Sequence, residues 1–250
     1  MNEEKKEENK KSKLMPVLDI LEESVKVWWK NLKKIVGVYL WGLLFALVSL
    51  VVSLLGAVLI AWLGDGAALI LKIGASVIVA AGVVASIYFS IRAYMSVFLL
   101  VKKDYQGKEL DIFKETKKLF WPYFGLTLLT TIFILLWSLL LIIPGIIYSI
   151  FYSLACYAFF FEEKRGMAAI RRSIQLVKGY WWPVFGRFLV ICLATWIFMA
   201  IVSLPLSFVS EDSIFSSLWA GLIQIISFLI GPVVLLFNYR IYRDLVKIKK

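Results

Sequence analysis

The sequence predicts an all-α membrane protein with six transmembrane helices. Three observations point there. Of the 250 residues, 61% are hydrophobic and only 18% charged, against roughly 45–50% and about 25% in soluble domains. The apolar residues are gathered in uninterrupted runs, and a helix crosses a bilayer with about 20 of them. All but three of the 28 Lys and Arg lie between or beside those runs. A six-span arrangement puts all of those segments on one side, the bias that orients membrane helices.

The first thirteen residues, Met1 to Lys13, alternate Glu and Lys without an apolar stretch. They read as part of a disordered charged tail over residues 1–15, and not as a cleavable signal. The membrane domain then covers residues 16–246, with a basic tail at 247–250. Spans are expected at about 35–63, 67–101, 123–143, 146–161, 184–204 and 213–242. Gly64-Asp65-Gly66 ends the first, Pro144-Gly145 ends the third, and Pro205 closes the fifth. The second span has 35 residues, about 52 Å at 1.5 Å per residue, so it tilts or leaves the lipid. The fourth is the shortest. With both termini cytoplasmic, the outside loops contain no Lys or Arg.

Between the spans lie amphipathic segments. From Pro16 to Lys34, Leu18, Leu21, Val25, Trp28 and Leu32 recur at three- and four-residue steps, with Asp19, Glu22, Glu23, Lys26, Lys30 and Lys33 elsewhere. Lys108 to Phe120 repeats the pattern through Leu110, Phe113 and Phe120. Met167 to Trp181 does so with Ile170, Ile174, Val177 and Trp181 against Arg171, Arg172, Gln175 and Lys178. Basic amphipathic helices favour the plane of an anionic interface. Trp121-Pro122-Tyr123-Phe124-Gly125 and Trp182-Pro183-Val184-Phe185-Gly186 are one motif 61 positions apart, with a weaker echo at Lys33-Lys34-Ile35-Val36-Gly37. In that motif Trp anchors at the headgroups, Pro ends the in-plane helix and starts the span, and Gly admits a close neighbour. The fold expected is therefore three same-orientation hairpins, each preceded by a basic amphipathic interface helix. Trp28, Trp121, Pro122, Trp182 and Pro183 are its interface anchors.

Chemistry is sparse. There is no histidine, which removes Ser/His and Cys/His nucleophile pairs and His-ligated metal. No Asp or Glu lies within a span away from its ends, so the buried carboxylates of proton-coupled carriers are missing. No catalytic, metal or cofactor site is expected. Glu162-Glu163 and Glu211-Asp212 read as solvated boundary pairs, and Cys156 and Cys192 as packing residues. The net charge of +11 lacks a soluble reading surface, so no nucleic-acid partner is expected.

Three cations fall inside the spans. Lys72 and Arg187 lie near helix ends and can snorkel. Arg92 lies ten residues before Lys102 in an apolar stretch. Either the long helix leaves the bilayer there, or Arg92 contacts headgroups or an anionic ligand. Arg92, Arg171, Arg172, Lys178 and Arg187 are the candidate lipid or anion contacts. Small residues stripe the first span (Gly42, Ala46, Ser49, Ser53, Gly56) and the second (Gly82, Ser86, Ser90), which lets helices approach closely in lipid.

Pro144-Gly145-Ile146-Ile147-Tyr148, the short span ending in Glu, and Ala169-Ile170-Arg171-Arg172-Ser173-Ile174-Gln175-Leu176-Val177-Lys178-Gly179-Tyr180-Trp181-Trp182 resemble the membrane domain of bacterial glycerophosphoryl diester phosphodiesterases. Related six-helix membrane proteins of bacteria and archaea are similar too, as is the closing Tyr242-Arg243-Asp244-Leu245. The resemblance implies the six-helix architecture with inner-face connectors, in a plasma membrane, without the soluble phosphodiesterase domain. The function expected is non-enzymatic: contact with anionic inner-leaflet lipid, or scaffolding of a protein partner or a homo-oligomer. The alternative is a permease for a small anionic or lipid-related solute, with Arg92 as its ligand.

Overall fold

The computed structural model describes residues 14–63, 69–208 and 213–249. The charged tail to Lys13, the Gly64–Gly66 loop, Glu211-Asp212 and Lys250 lie outside the described residues. Among the described residues every regular element is a helix: α1 Val17–Lys30, α2 Leu32–Leu63, α3 Leu69–Lys102, α4 Glu109–Leu140, α5 Ile142–Tyr152, α6 Ala155–Phe161, α7 Met167–Val177, α8 Trp181–Ser203 and α9 Ile214–Ile248. A 3-10 turn, Leu204–Phe208, follows α8, where Pro205 was expected to close the span.

Among the described residues six helical stretches are long and apolar enough to cross a membrane: Leu32–Trp62, Leu69–Lys102, Glu109–Leu140, Ile142–Phe161, Trp181–Phe208 and Leu218–Ile248. Away from their charged ends their outward surfaces are oily, with Leu139 86% and Phe208 85% exposed. Apolar surface this continuous is stable in lipid and not in water. The chain is an integral membrane protein of the multi-pass kind.

It divides into two compact units. One is Asn31–Trp121; the other takes in the described residues up to Lys30 and from Pro122 onward. In the first unit, α2 and α3 pack as an antiparallel pair through their small residues. A Cβ on Gly82 would stand 2.1 Å from Ser53 Oγ and 2.7 Å from the Ser49 carbonyl oxygen, and one on Gly42 would stand 2.2 Å from Ala93 Cβ. Ser86 donates to the Ala46 carbonyl at 3.0 Å, and Ser53 to that of Val79 at 3.2 Å. Without water to compete, close backbone approach and these bonds hold the pair together. The first turns of α4 complete the core with Ile112, Phe113 and Thr116 buried.

In the second unit, the fourth span is broken. α5 and α6 are separate helices with a turn at Ser153-Leu154. Backbone groups freed inside a membrane need partners, and Ser173 of α7 supplies one. Its hydroxyl accepts from the Leu154 N–H at 3.1 Å and donates to the Phe151 carbonyl at 2.6 Å. α7 buries Ala169, Ile170, Ser173, Leu176 and Val177 against this break and turns Arg171, Gln175 and Lys178 outward. α1 is tied to α8 and α9: Met15 N–H donates to Asp244 at 3.3 Å, Arg187 Nη2 donates to the Met15 carbonyl at 2.6 Å, and Arg240 pairs with Glu23 at 2.7 Å.

Several local expectations need correction. Pro122 does not end a helix, because α4 runs unbroken from Glu109 to Leu140 with Pro122 inside it. The carbonyl deprived of its donor belongs to Lys118, an exposed residue, so polar surroundings can satisfy it. Pro183, by contrast, is the third residue of α8, where no intrahelical donor is missed. Pro144-Gly145 is not the turn after the third span. Leu141 is the extended link (φ −161°, ψ 144°), and Pro144 sits in the first turn of α5. The glycines of the two Trp-Pro motifs admit no close neighbour either, since an added Cβ at Gly125 or Gly186 would meet nothing within 4 Å. α9 passes through Pro232 and continues to Ile248, into the stretch expected as a basic tail.

Candidate functional site

Arg92 is 7% exposed. Its guanidinium is caged by its own unit: Nε donates to Thr116 Oγ1 at 2.9 Å and Nη2 to the Phe113 carbonyl at 2.8 Å. The Tyr88 hydroxyl lies 3.5 Å from Nη1. The Phe113 ring sits beneath the charge, 4.4 Å from Cζ to centroid, with Tyr88 and Phe89 at 5.3 and 5.8 Å. Carbonyl, hydroxyl and aromatic faces together stabilise a cation that lipid would not. The cage is ready-made because Thr116 also donates to the Phe113 carbonyl, at 2.6 Å. Arg92 thus pins α4 to α3, and the donors it spends there are not aimed at a ligand.

Arg172 and Arg187 are engaged as well. Arg172 Nε lies 2.9 Å from both carboxylate oxygens of Glu162, and the Tyr242 hydroxyl donates to Glu162 at 2.9 Å. Lys164 stands 3.1 Å away. Burial would raise the Glu162 carboxyl, but the bonds from Arg172, Tyr242 and Lys164 outweigh it and hold the group below its usual range. Glu162, expected as a solvated boundary acid, is therefore the hub joining the end of α6, α7 and α9. Arg187 bonds the Pro183 carbonyl at 2.9 Å as well as Met15.

Arg171 and Lys178 are the cations left facing outward, both on exposed positions of α7 and its end. Lys249 joins them, donating to the Gln175 carbonyl at 2.5 Å and to the Lys178 carbonyl. A cation at a helix C-terminus complements its free carbonyls. Even so, burial first, and then the neighbouring Lys178 and Arg172 charges, lower the Lys249 amine below its usual range.

Of the expected anchors, Trp121 and Trp182 are each 74% exposed. Trp28 turns inward and Trp29 takes the outward place. Trp28 lines an apolar groove of about 420 Å³ with Leu21, Val25, Ile191, Phe198 and Val233. A second groove, about 670 Å³, lies between α4, α5 and α7 and includes Arg171 in its lining. Among the described residues no group of three His, Cys, Asp or Glu is placed to hold a metal ion.

Sequence reasoning missed Glu162, Ser173 and the Arg240–Glu23 pair. Ser173 had a signal, being a small polar residue on the apolar side of α7. The others join segments far apart in the chain, and nothing local marks them. The chain matches no family model, no curated protein and no solved structure.

Proposed function

We propose that this protein is a non-catalytic membrane protein that gathers anionic lipid of the inner leaflet on its basic face. The observation that carries the reading is the basic end of α7, where Arg171 and Lys178 are exposed and the Lys249 amine is held on the Gln175 and Lys178 carbonyls. Juxtamembrane cations attract anionic leaflets at about 1 kcal/mol each. In this reading the six spans form three same-orientation hairpins, both termini face the cytoplasm, and the exposed side of α7 meets the headgroups. The resemblance to the membrane domain of glycerophosphoryl diester phosphodiesterases supports the architecture and adds no chemistry. The alternative, an anion permease built on Arg92, requires that residue to release Thr116 and Phe113 first.

The test is native mass spectrometry of the full chain released from nanodiscs of equal phosphatidylglycerol and phosphatidylcholine. Preferential retention of phosphatidylglycerol is expected, reduced in the Lys178→Gln, Lys249→Gln double variant. Equal retention of the two lipids overturns the reading.

A further inference from the structure

The groove beside Arg171 is suited to one part of a lipid at each end. Phe133, Leu136 and Leu139 of α4 face Ile170 and Ile174 of α7 across it. One wall is stiffened by Trp137, which stacks on Tyr148 with centroids 4.0 Å apart. Its volume of about 670 Å³ falls in the range of small-ligand sites, about 300–1,000 Å³. The lining residues are apolar or aromatic except for one charged residue, Arg171. Among the described residues Arg171 makes no hydrogen bond or ion pair, whereas Arg92, Arg172, Arg187 and Arg240 are all engaged.

An unsatisfied planar cation at the edge of an oily groove is complementary to an amphiphile. A phosphate accepts two parallel N–H bonds from the fork, and an acyl chain covers the leucines. A soluble anion would leave the groove empty, and an apolar helix of a partner would bury Arg171 without a counter-charge. The geometry points to a specific site for one anionic phospholipid: phosphate on Arg171, one acyl chain between α4 and α7. This deepens the proposed function and rests on it. It also gives α7 a second task, since the helix that repairs the break at Ser153-Leu154 through Ser173 would present the lipid ligand from its opposite face.

The same nanodisc measurement separates the site from the general reading, using Arg171→Glu and Leu139→Trp. Leu139 is 86% exposed and Arg171 faces outward, so neither change disturbs a core; size-exclusion elution checks the fold. Wild type is expected to keep at least one phosphatidylglycerol per chain, and each variant to lose roughly tenfold of that retention. Adding glycerol 3-phosphate in excess is expected to displace little of the lipid, because it has no chain to place in the groove. Loss in Arg171→Glu with none in Leu139→Trp overturns the site, leaving a headgroup contact only, and so does displacement by glycerol 3-phosphate. If neither variant changes retention while wild type still prefers phosphatidylglycerol, the site falls and the general reading stands. No preference in wild type removes both.

Discussion

The α2/α3 pair and the α8/α9 pair solve the same problem in different ways. Both join two long apolar helices in a solvent that gives no hydrophobic reward for contact. α2 and α3 meet through Gly42 and Gly82, where an added Cβ has no room against Ala93 and Ser53. α8 and α9 are linked by a few polar ties such as Trp219 Nε1 to the Val202 carbonyl at 3.0 Å. An added Cβ at Gly186 or Gly221 would meet nothing, and the space between the helices is partly filled by α1 and partly left as a groove. Glycine by itself therefore says little. It marks a helix contact where a second helix comes opposite, as Ala93 does at Gly42, Ser53 at Gly82, and Ile78 and Val79 at Gly56.

The comparison breaks most visibly at Gly82. Gly82→Leu is expected to destabilise the protein by about 3 kcal/mol, while Gly186→Leu stays within about 0.5 kcal/mol, read from unfolding in mixed micelles by circular dichroism. Similar losses at both positions would refute the distinction. Next comes Arg92, the polar clamp of the first unit. Arg92→Met is expected to cost about 2 kcal/mol. Arg92→Lys should recover only part of that, since an ammonium cannot span both Thr116 and the Phe113 carbonyl.

Glu162 is the corresponding clamp of the second unit, and its effect depends on pH. Its folded carboxyl titrates below the ordinary value of 4.5, so its contribution is fully present above that value and is lost as pH falls through the lower, folded one. Glu162→Gln is expected to cost about 1 kcal/mol at pH 7 and to flatten the stability curve below pH about 4.5. A wild-type curve already flat there would contradict this assignment. The smallest effect separates the two Trp-Pro motifs: Pro122→Ala should raise the unfolding midpoint slightly, by restoring a bond to the Lys118 carbonyl, and Pro183→Ala should leave it unchanged.

What was legible in the sequence follows from this contrast. The six apolar stretches could be read because the bilayer imposes length and composition on each of them separately. The small stripe from Gly42 to Gly56 could be read because its partner, Gly82 to Ser90, also places small residues at helical steps. Pro122 was misread because its effect depends on whether the Lys118 carbonyl can find another partner, not on proline. The break at Ser153-Leu154 was invisible because Ser173, which permits it, comes twenty residues later. Arg92 stands out in the sequence as a charge in an apolar stretch, yet its cage comes from Phe113 and Thr116 on the following helix. For the outward cations, sequence could not separate Arg171 from Arg172: they are adjacent, and only Glu162 distinguishes them.

The orientation of the basic face can be tested directly by labelling. In a chain with Cys156→Ser and Cys192→Ser, Lys178→Cys and Ser207→Cys are treated separately with a membrane-impermeant maleimide on intact cells. Lys178→Cys should react only after the cells are opened, and Ser207→Cys before. Reaction of Lys178→Cys on intact cells would place the cationic cluster on the outer surface and contradict the account.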